Sequence, residues 1–190
     1  IEMTSYMNDI VGSNEEVPSS KIVKLSDTNG DGILDKRVEI MTDLVLPRSI
    51  AFYGKGIIFA THTSLFYADL NGDKIGKKEL IDPAYATNGN VEHRDNGMLL
   101  NVDNWFYNAK STKRYRFLPL DGLVSKGAIE IYRNSHLKVL REDMGYMRGQ
   151  WGIARDDYGR LYFNTNSSPV FVDRYYGNPV FPSKKYVFNR

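Results

Sequence analysis

Two stretches of the chain repeat each other. KIVKLSDTNGDGILDKRVEIM (residues 21–41) and SLFYADLNGDKIGKKELID (residues 64–82) both read as a strand, a D-x-N-G-D turn, charged residues and a second strand. Their first aspartates, Asp27 and Asp69, are one repeat apart in the numbering, and that spacing matches the roughly 40 to 45 residues of a four-stranded propeller blade. A second element, an apolar strand, a Gly- or Asp-containing turn and an aromatic strand, occurs three times. Its copies are RSIAFYGKGIIFAT (residues 48–61), NGMLLNVDNWFYNA (96–109) and WGIARDDYGRLYFNT (151–165). Helical periodicity is almost absent between them, and Gly, Asn, Asp and Pro cut the chain into short apolar or alternating runs, the pattern of an all-β protein.

The expected fold is therefore a β-propeller of four-stranded antiparallel blades. A blade buries its faces only against neighbouring blades, so the array must close into a ring to remove its edges. About four blades fit into 190 residues, where rings hold roughly four to eight. Residues 1–190 are expected to form a single propeller domain that is part of a larger ring. IEMTSYM, at the front, reads as the end of a strand, so processing or truncation is expected there.

Hydrophobic residues at 42% and aromatics at 13% can build a packed core. The 25 basic and 23 acidic residues are interspersed, which leaves no polybasic stripe for nucleic acid or an anionic membrane. A small or neutral partner fits better. No apolar run reaches the roughly 18 residues of a transmembrane helix. Zero cysteines exclude disulfides, thiolate zinc sites and covalent haem attachment within these residues.

The first repeat carries oxygen ligands at calcium-loop spacing. Asp27, Asn29 and Asp31 stand at positions one, three and five, Gly32 at six, the Ile33 carbonyl at seven and Asp35 at nine. Ca²⁺ takes about six to eight oxygens, and Val38 occupies position twelve, where a glutamate would close the site. The alternative is an Asp/Asn/Gly turn that joins two strands. In the second copy Lys74 and Lys77 replace the glycine and the ninth-position acid, so metal binding is not expected there.

Two polar clusters could carry chemistry. Glu92 and His93 lie in an Asn/Gly-rich loop just before an apolar strand, a place that a propeller puts near the end of its central channel. A histidine titrates near neutrality, and a neighbouring carboxylate can orient it as a general base. A hydrogen-bonded loop histidine is the structural alternative. Arg148 and Gln150 precede their own strand at the equivalent place. Arg148 offers a planar fork to carboxylate, quinone or hydroxyl oxygens. Trp151 either stacks on a flat ligand or fills the core. Arg48 stands at the third equivalent place and is expected at the same channel mouth. Asp103 and Asn104 read as turn residues, and His62 and His136 are given no role. Hydrolase, nucleotide-binding and zinc-protease motifs are absent from these residues.

EMTSYMND, SSKIVKLSDTNGDGILDKRVEI, LPRSIAFYGKGIIFA, GNVEHRDNGMLLNVDNWFYNAK and RGQWGIARDDYGRLYFNTNS together resemble the propeller region of bacterial membrane-bound-dehydrogenase or sorbosone-dehydrogenase-like proteins. Those are often fused to a cytochrome c domain and distantly similar to soluble quinoprotein glucose dehydrogenase. The resemblance covers nearly the whole chain. It implies a six-bladed ring, export to the periplasm, and oxidation of a sugar or alcohol with pyrroloquinoline quinone (PQQ) and Ca²⁺. Electrons would pass to a cytochrome c domain or subunit, with haem held only there, since this chain lacks C-x-x-C-H. It further implies that His93 with Glu92 is the base, and that Arg148, near Gly152, contacts cofactor or substrate. The rival expectation is a non-catalytic propeller that binds carbohydrate or serves as a scaffold.

Overall fold

A computed structural model describes residues 1–3, 13–145, 147, 149–150, 152–165 and 167–172. The described residues are all-β: four antiparallel sheets, one 3₁₀ turn and no α-helix. The chain divides into two compact units, Ile1–Pro83 and Ala84–Arg190.

In the first unit, β1 (Ser20–Ser26) and β2 (Lys36–Leu44) form a hairpin closed by the D-x-N-G-D turn. β3 (Ser49–Tyr53), β4 (Gly56–Ala60) and β5 (Leu65–Asn71) form a meander. The two-residue β6 (Lys74–Ile75) and then β7 (Glu79–Asp82) return against β5. Every residue of β4 is buried, as expected of a strand flanked on both edges and covered on both faces. Ile22, Ile40 and Leu44 of the hairpin share one cluster with Ile57, Phe59 and Ala68 of the meander. Each large apolar side chain so buried contributes roughly 1.5–3 kcal/mol.

The second copy of the D-x-N-G-D turn closes β5 onto β6, and its acids are taken by side chains. Asp73 accepts from Lys24 at 2.8 Å and Lys36 at 3.0 Å, from the two strands that flank the first copy. Those lysines, Lys24 first, hold its carboxyl below the ordinary carboxylate value. Asp69 accepts from the Tyr67 hydroxyl at 3.0 Å and pairs with Lys55. The degenerate loop thus serves as an ionic clamp between two hairpins.

In the second unit, β8 (Asn96–Leu100), β9 (Phe106–Ala109) and β10 (Lys113–Pro119) form a meander. The hairpin of β11 (Ile129–Arg133) and β12 (Leu137–Asp143) extends it, with β12 against β10. A second sheet contains β13 (Ile153–Arg155), β14 (Leu161–Thr165) and β15 (Ser168–Val172). Trp105, just before β9, and Tyr107 and Leu140 of the first sheet meet Met147, Leu161 and Phe163. All three copies of the aromatic element are antiparallel hairpins: β3–β4, β8–β9 and β13–β14. Strand number is not uniform. The four sheets contain two, five, five and three strands among the described residues; in the two larger ones β6 and β11 are each a fifth strand beyond a four-stranded unit.

One face of β10 carries a polar network. Strand alternation puts Arg114 and Arg116 on the same side, and both guanidinium groups lie over Trp105, at 4.6 and 4.4 Å from the ring centre. Arg114 donates to Glu142 at 2.8 Å and to the Tyr107 hydroxyl at 2.6 Å, and Tyr107 donates to Asp103 at 2.7 Å. Burial pushes the Tyr107 phenol above its ordinary value, so it stays a neutral donor. Asp103 also accepts from the Trp105 amide, in keeping with a turn residue. Arg114 and Glu142 are largely buried, 12% and 16% exposed at the side chain. Removing one partner strands a charge, at a cost of about 3–5 kcal/mol. Arg114→Ala is therefore expected to lower the free energy of chemical unfolding by about 3 kcal/mol or more, whereas Arg133→Ala, which breaks an exposed pair with Glu130, changes it by less than about 1 kcal/mol.

Candidate functional site

The apolar β8 starts late, and the residues before it fold into a 3₁₀ turn, Val91–His93. Asn90 caps the turn: its side-chain oxygen accepts from the His93 amide at 3.1 Å, the usual service of an Asn at a helix start. Glu92 and His93 are both half-exposed, with Oε2 and Nε2 3.9 Å apart. That is beyond hydrogen-bond length and within reach of direct charge attraction. The Nε2 atom itself is buried and has no hydrogen-bond partner.

Gln150 is 5% exposed, and its side-chain Nε2 is likewise buried without a partner. The structure brings Gln150 to the His93 turn through Asn96, whose Nδ2 donates to the Gln150 carbonyl at 2.8 Å and the Arg94 carbonyl at 2.9 Å. The backbone at Gly149 is packed tightly beneath. Its φ is +139°, and a Cβ there would stand 3.1 Å from Ala109 Cβ and 3.2 Å from Phe163 Cβ. Next to Ala109, fully buried Asn108 accepts from the Tyr85 hydroxyl at 2.7 Å, and its Nδ2 is another unpartnered buried donor. Next to Phe163, the Asn164 side-chain Oδ1 is an unpartnered buried acceptor. Most buried polar atoms in native proteins find a partner, so this region has unmet capacity for one.

Arg148 and Trp151 lie outside the described residues. Arg48 belongs to the first unit, half-buried, where its amide donates to the Ala60 carbonyl at 3.0 Å. Sequence reading missed Asn96, Asn108 and Asn164. An N-G pair such as Asn96-Gly97 reads locally as a turn signal, and only the distant partner at Gln150 shows its second use.

The loop at residues 27–35 is held by its own acids. Asp27 accepts from the amides of Asn29, Gly30 and Gly32 at 3.2, 2.7 and 2.8 Å. Asp31 accepts from the Ile33 amide at 2.8 Å and from the Asn29 side chain at 3.0 Å. Asp35 accepts from the amide and hydroxyl of Thr28, at 2.9 and 2.6 Å. The Gly32 and Gly30 amides hold the Asp27 carboxyl below its ordinary value of 3.8. A carboxyl depressed in the folded state stabilises above its unfolded pKa, and that contribution is lost as pH falls through the folded one. The amide proton resonances of Gly30 and Gly32 are therefore expected to titrate with a midpoint below 3.8. A midpoint at or above that value would contradict the bonding described.

The chain belongs to the family described as a domain of unknown function (DUF7133), whose model matches residues 1–189. No curated protein and no solved structure matches it. Among the described residues, no helix is long and apolar enough to cross a membrane.

Proposed function

We propose that the chain is the propeller part of an exported quinoprotein-type oxidoreductase, oxidising a sugar or alcohol in the periplasm and delivering electrons to a cytochrome c domain or subunit. The observation that carries this reading is the His93 imidazole, whose Nε2 is buried, unpartnered and 3.9 Å from a carboxylate. A general base needs such an atom: withdrawn from water, free of a competing donor, and close to a charge that stabilises the imidazolium it becomes. The antiparallel meanders and the hairpin closed by the repeated loop are units of the kind that blades of the proposed six-bladed ring would require.

The residues present fit PQQ in one respect: Gln150, whose main-chain carbonyl Asn96 ties to the segment that follows His93, has an orphaned buried donor at Nε2, suited to a quinone or carboxylate oxygen. Gln150 would hold the cofactor, with Arg148 and Trp151 as further candidates. When bound, PQQ supplies a two-electron acceptor for the hydride leaving the substrate carbon. His93 takes the proton of the substrate hydroxyl at Nε2, and Glu92 stabilises the resulting positive charge. Reconstitution of the complete protein with PQQ and Ca²⁺, followed by dye reduction across aldoses and alcohols, tests this. Activity is expected, and His93→Ala should lower kcat by about 10²–10⁴-fold. Undiminished turnover in His93→Ala removes the catalytic assignment.

The second reading, a non-catalytic carbohydrate-binding or scaffold module, is favoured by the loop at residues 27–35, whose acids are satisfied by the loop itself. A dye-inactive complete protein would leave that reading standing. Ca²⁺ at this loop is a separate proposal. Carboxylate and carbonyl oxygens that accept one hydrogen bond keep a second lone pair, so Asp27, Asn29, Asp31, Asp35 and the Ile33 carbonyl could still ligate. Calorimetric titration should give saturable Ca²⁺ heat with wild type and much less with Asp31→Ala. Identical traces would make the loop a plain turn.

A further inference from the structure

Asn96 opens β8 and is 4% exposed, and both of its amide hydrogens are used on main-chain carbonyls. One carbonyl belongs to Arg94, directly after His93; the other belongs to Gln150, 54 residues along the chain. Neither segment lies in a strand, since β8 starts at Asn96 and β13 at Ile153. A single side chain therefore ties the turn carrying the imidazole to the segment carrying the orphaned glutamine amide.

The backbone is arranged to aim it. Pairing of β8 with β9 slips between Asn96–Ala109 and Leu99–Tyr107, leaving one extra residue on β8. Gly97, inside that bulge, has φ +64°, a conformation that glycine adopts without strain. Bulges turn a side chain away from the direction that strict alternation would give it.

We propose that Asn96 is the positioning residue of this site, setting His93 Nε2 and Gln150 Nε2 at a fixed separation so that one ligand can engage both. The proposal rests on the reading of His93 and Gln150 as ligand-facing groups. Without the amide, the two segments lose their common anchor and move independently, while the ladders of β9, β10 and β12 remain paired.

The test uses Asn96→Ala and Asn96→Asp in the complete protein, the second keeping the side chain's shape while removing its donors. Hydrogen exchange read by mass spectrometry should accelerate together around residues 90–94 and around Gly149 and Gln150, with β12 unchanged. In the PQQ- and Ca²⁺-reconstituted protein, kcat for dye reduction should fall by up to about 100-fold, the order expected when a base is displaced by about 1 Å. KM should change far less, and kcat is referred to the folded fraction measured on the same sample, because loss of folded enzyme by itself would lower apparent kcat at constant KM. Acceleration at one segment only, or at neither, overturns the proposal, as does unchanged kcat in both variants of an active enzyme. If Asn96→Ala loses protection throughout β12, it has unfolded, and Asn96→Asp decides. If the wild type reduces no dye, the quinoprotein reading fails alone, and the paired exchange response still decides the role of Asn96.

Discussion

Everything in this chain depends on antiparallel backbone pairing between strands too short to be stable alone. An isolated two-stranded hairpin is marginal in water, and stability requires further strands or a covered face. β3–β4, β8–β9 and β13–β14 are the recurring solution, each extended by at least one more strand. Within each unit, two sheets then bury their apolar faces in a shared cluster, Ile22 and Leu44 against Phe59 in the first, Trp105 and Tyr107 against Phe163 in the second. Repetition supplies this geometry cheaply, because the same pattern of apolar strand, turn and aromatic strand yields the same hairpin in each copy.

Repetition also frees individual copies to diverge. The first D-x-N-G-D loop folds its acids onto its own amides. In the second, the equivalent of Asp31 is Asp73, which turns outward to Lys24 and Lys36. The clamp is half-exposed, so it contributes modestly and weakens with salt. In contrast, the Asp103–Tyr107–Arg114–Glu142 network is largely buried, where full satisfaction matters far more than at the surface.

Much of this was legible in the sequence. The all-β class, the three aromatic hairpins and the two repeated turns follow from alternation and turn chemistry, which are local. Glu92 and His93 could be placed before an apolar strand for the same reason. Other features depend on neighbours distant in the chain and left no local trace. Asn96 looks like half of a turn dipeptide until Gln150 stands beside it. Asn108 looks like any strand residue until Tyr85 occupies one end of its amide and leaves the other unpaired. The β11–β12 hairpin was not separated from a four-stranded unit, because its alternating residues resemble those of any other strand pair.

The central claim is that His93 and Gln150 present buried, unpaired nitrogen atoms to one ligand. The most direct measurement is the side-chain nitrogen resonances of both residues during titration of the complete protein with PQQ in the presence of Ca²⁺. Both should shift together, with one shared saturation curve, while the His136 side-chain nitrogens stay still. Saturable binding with neither resonance moving would contradict the account.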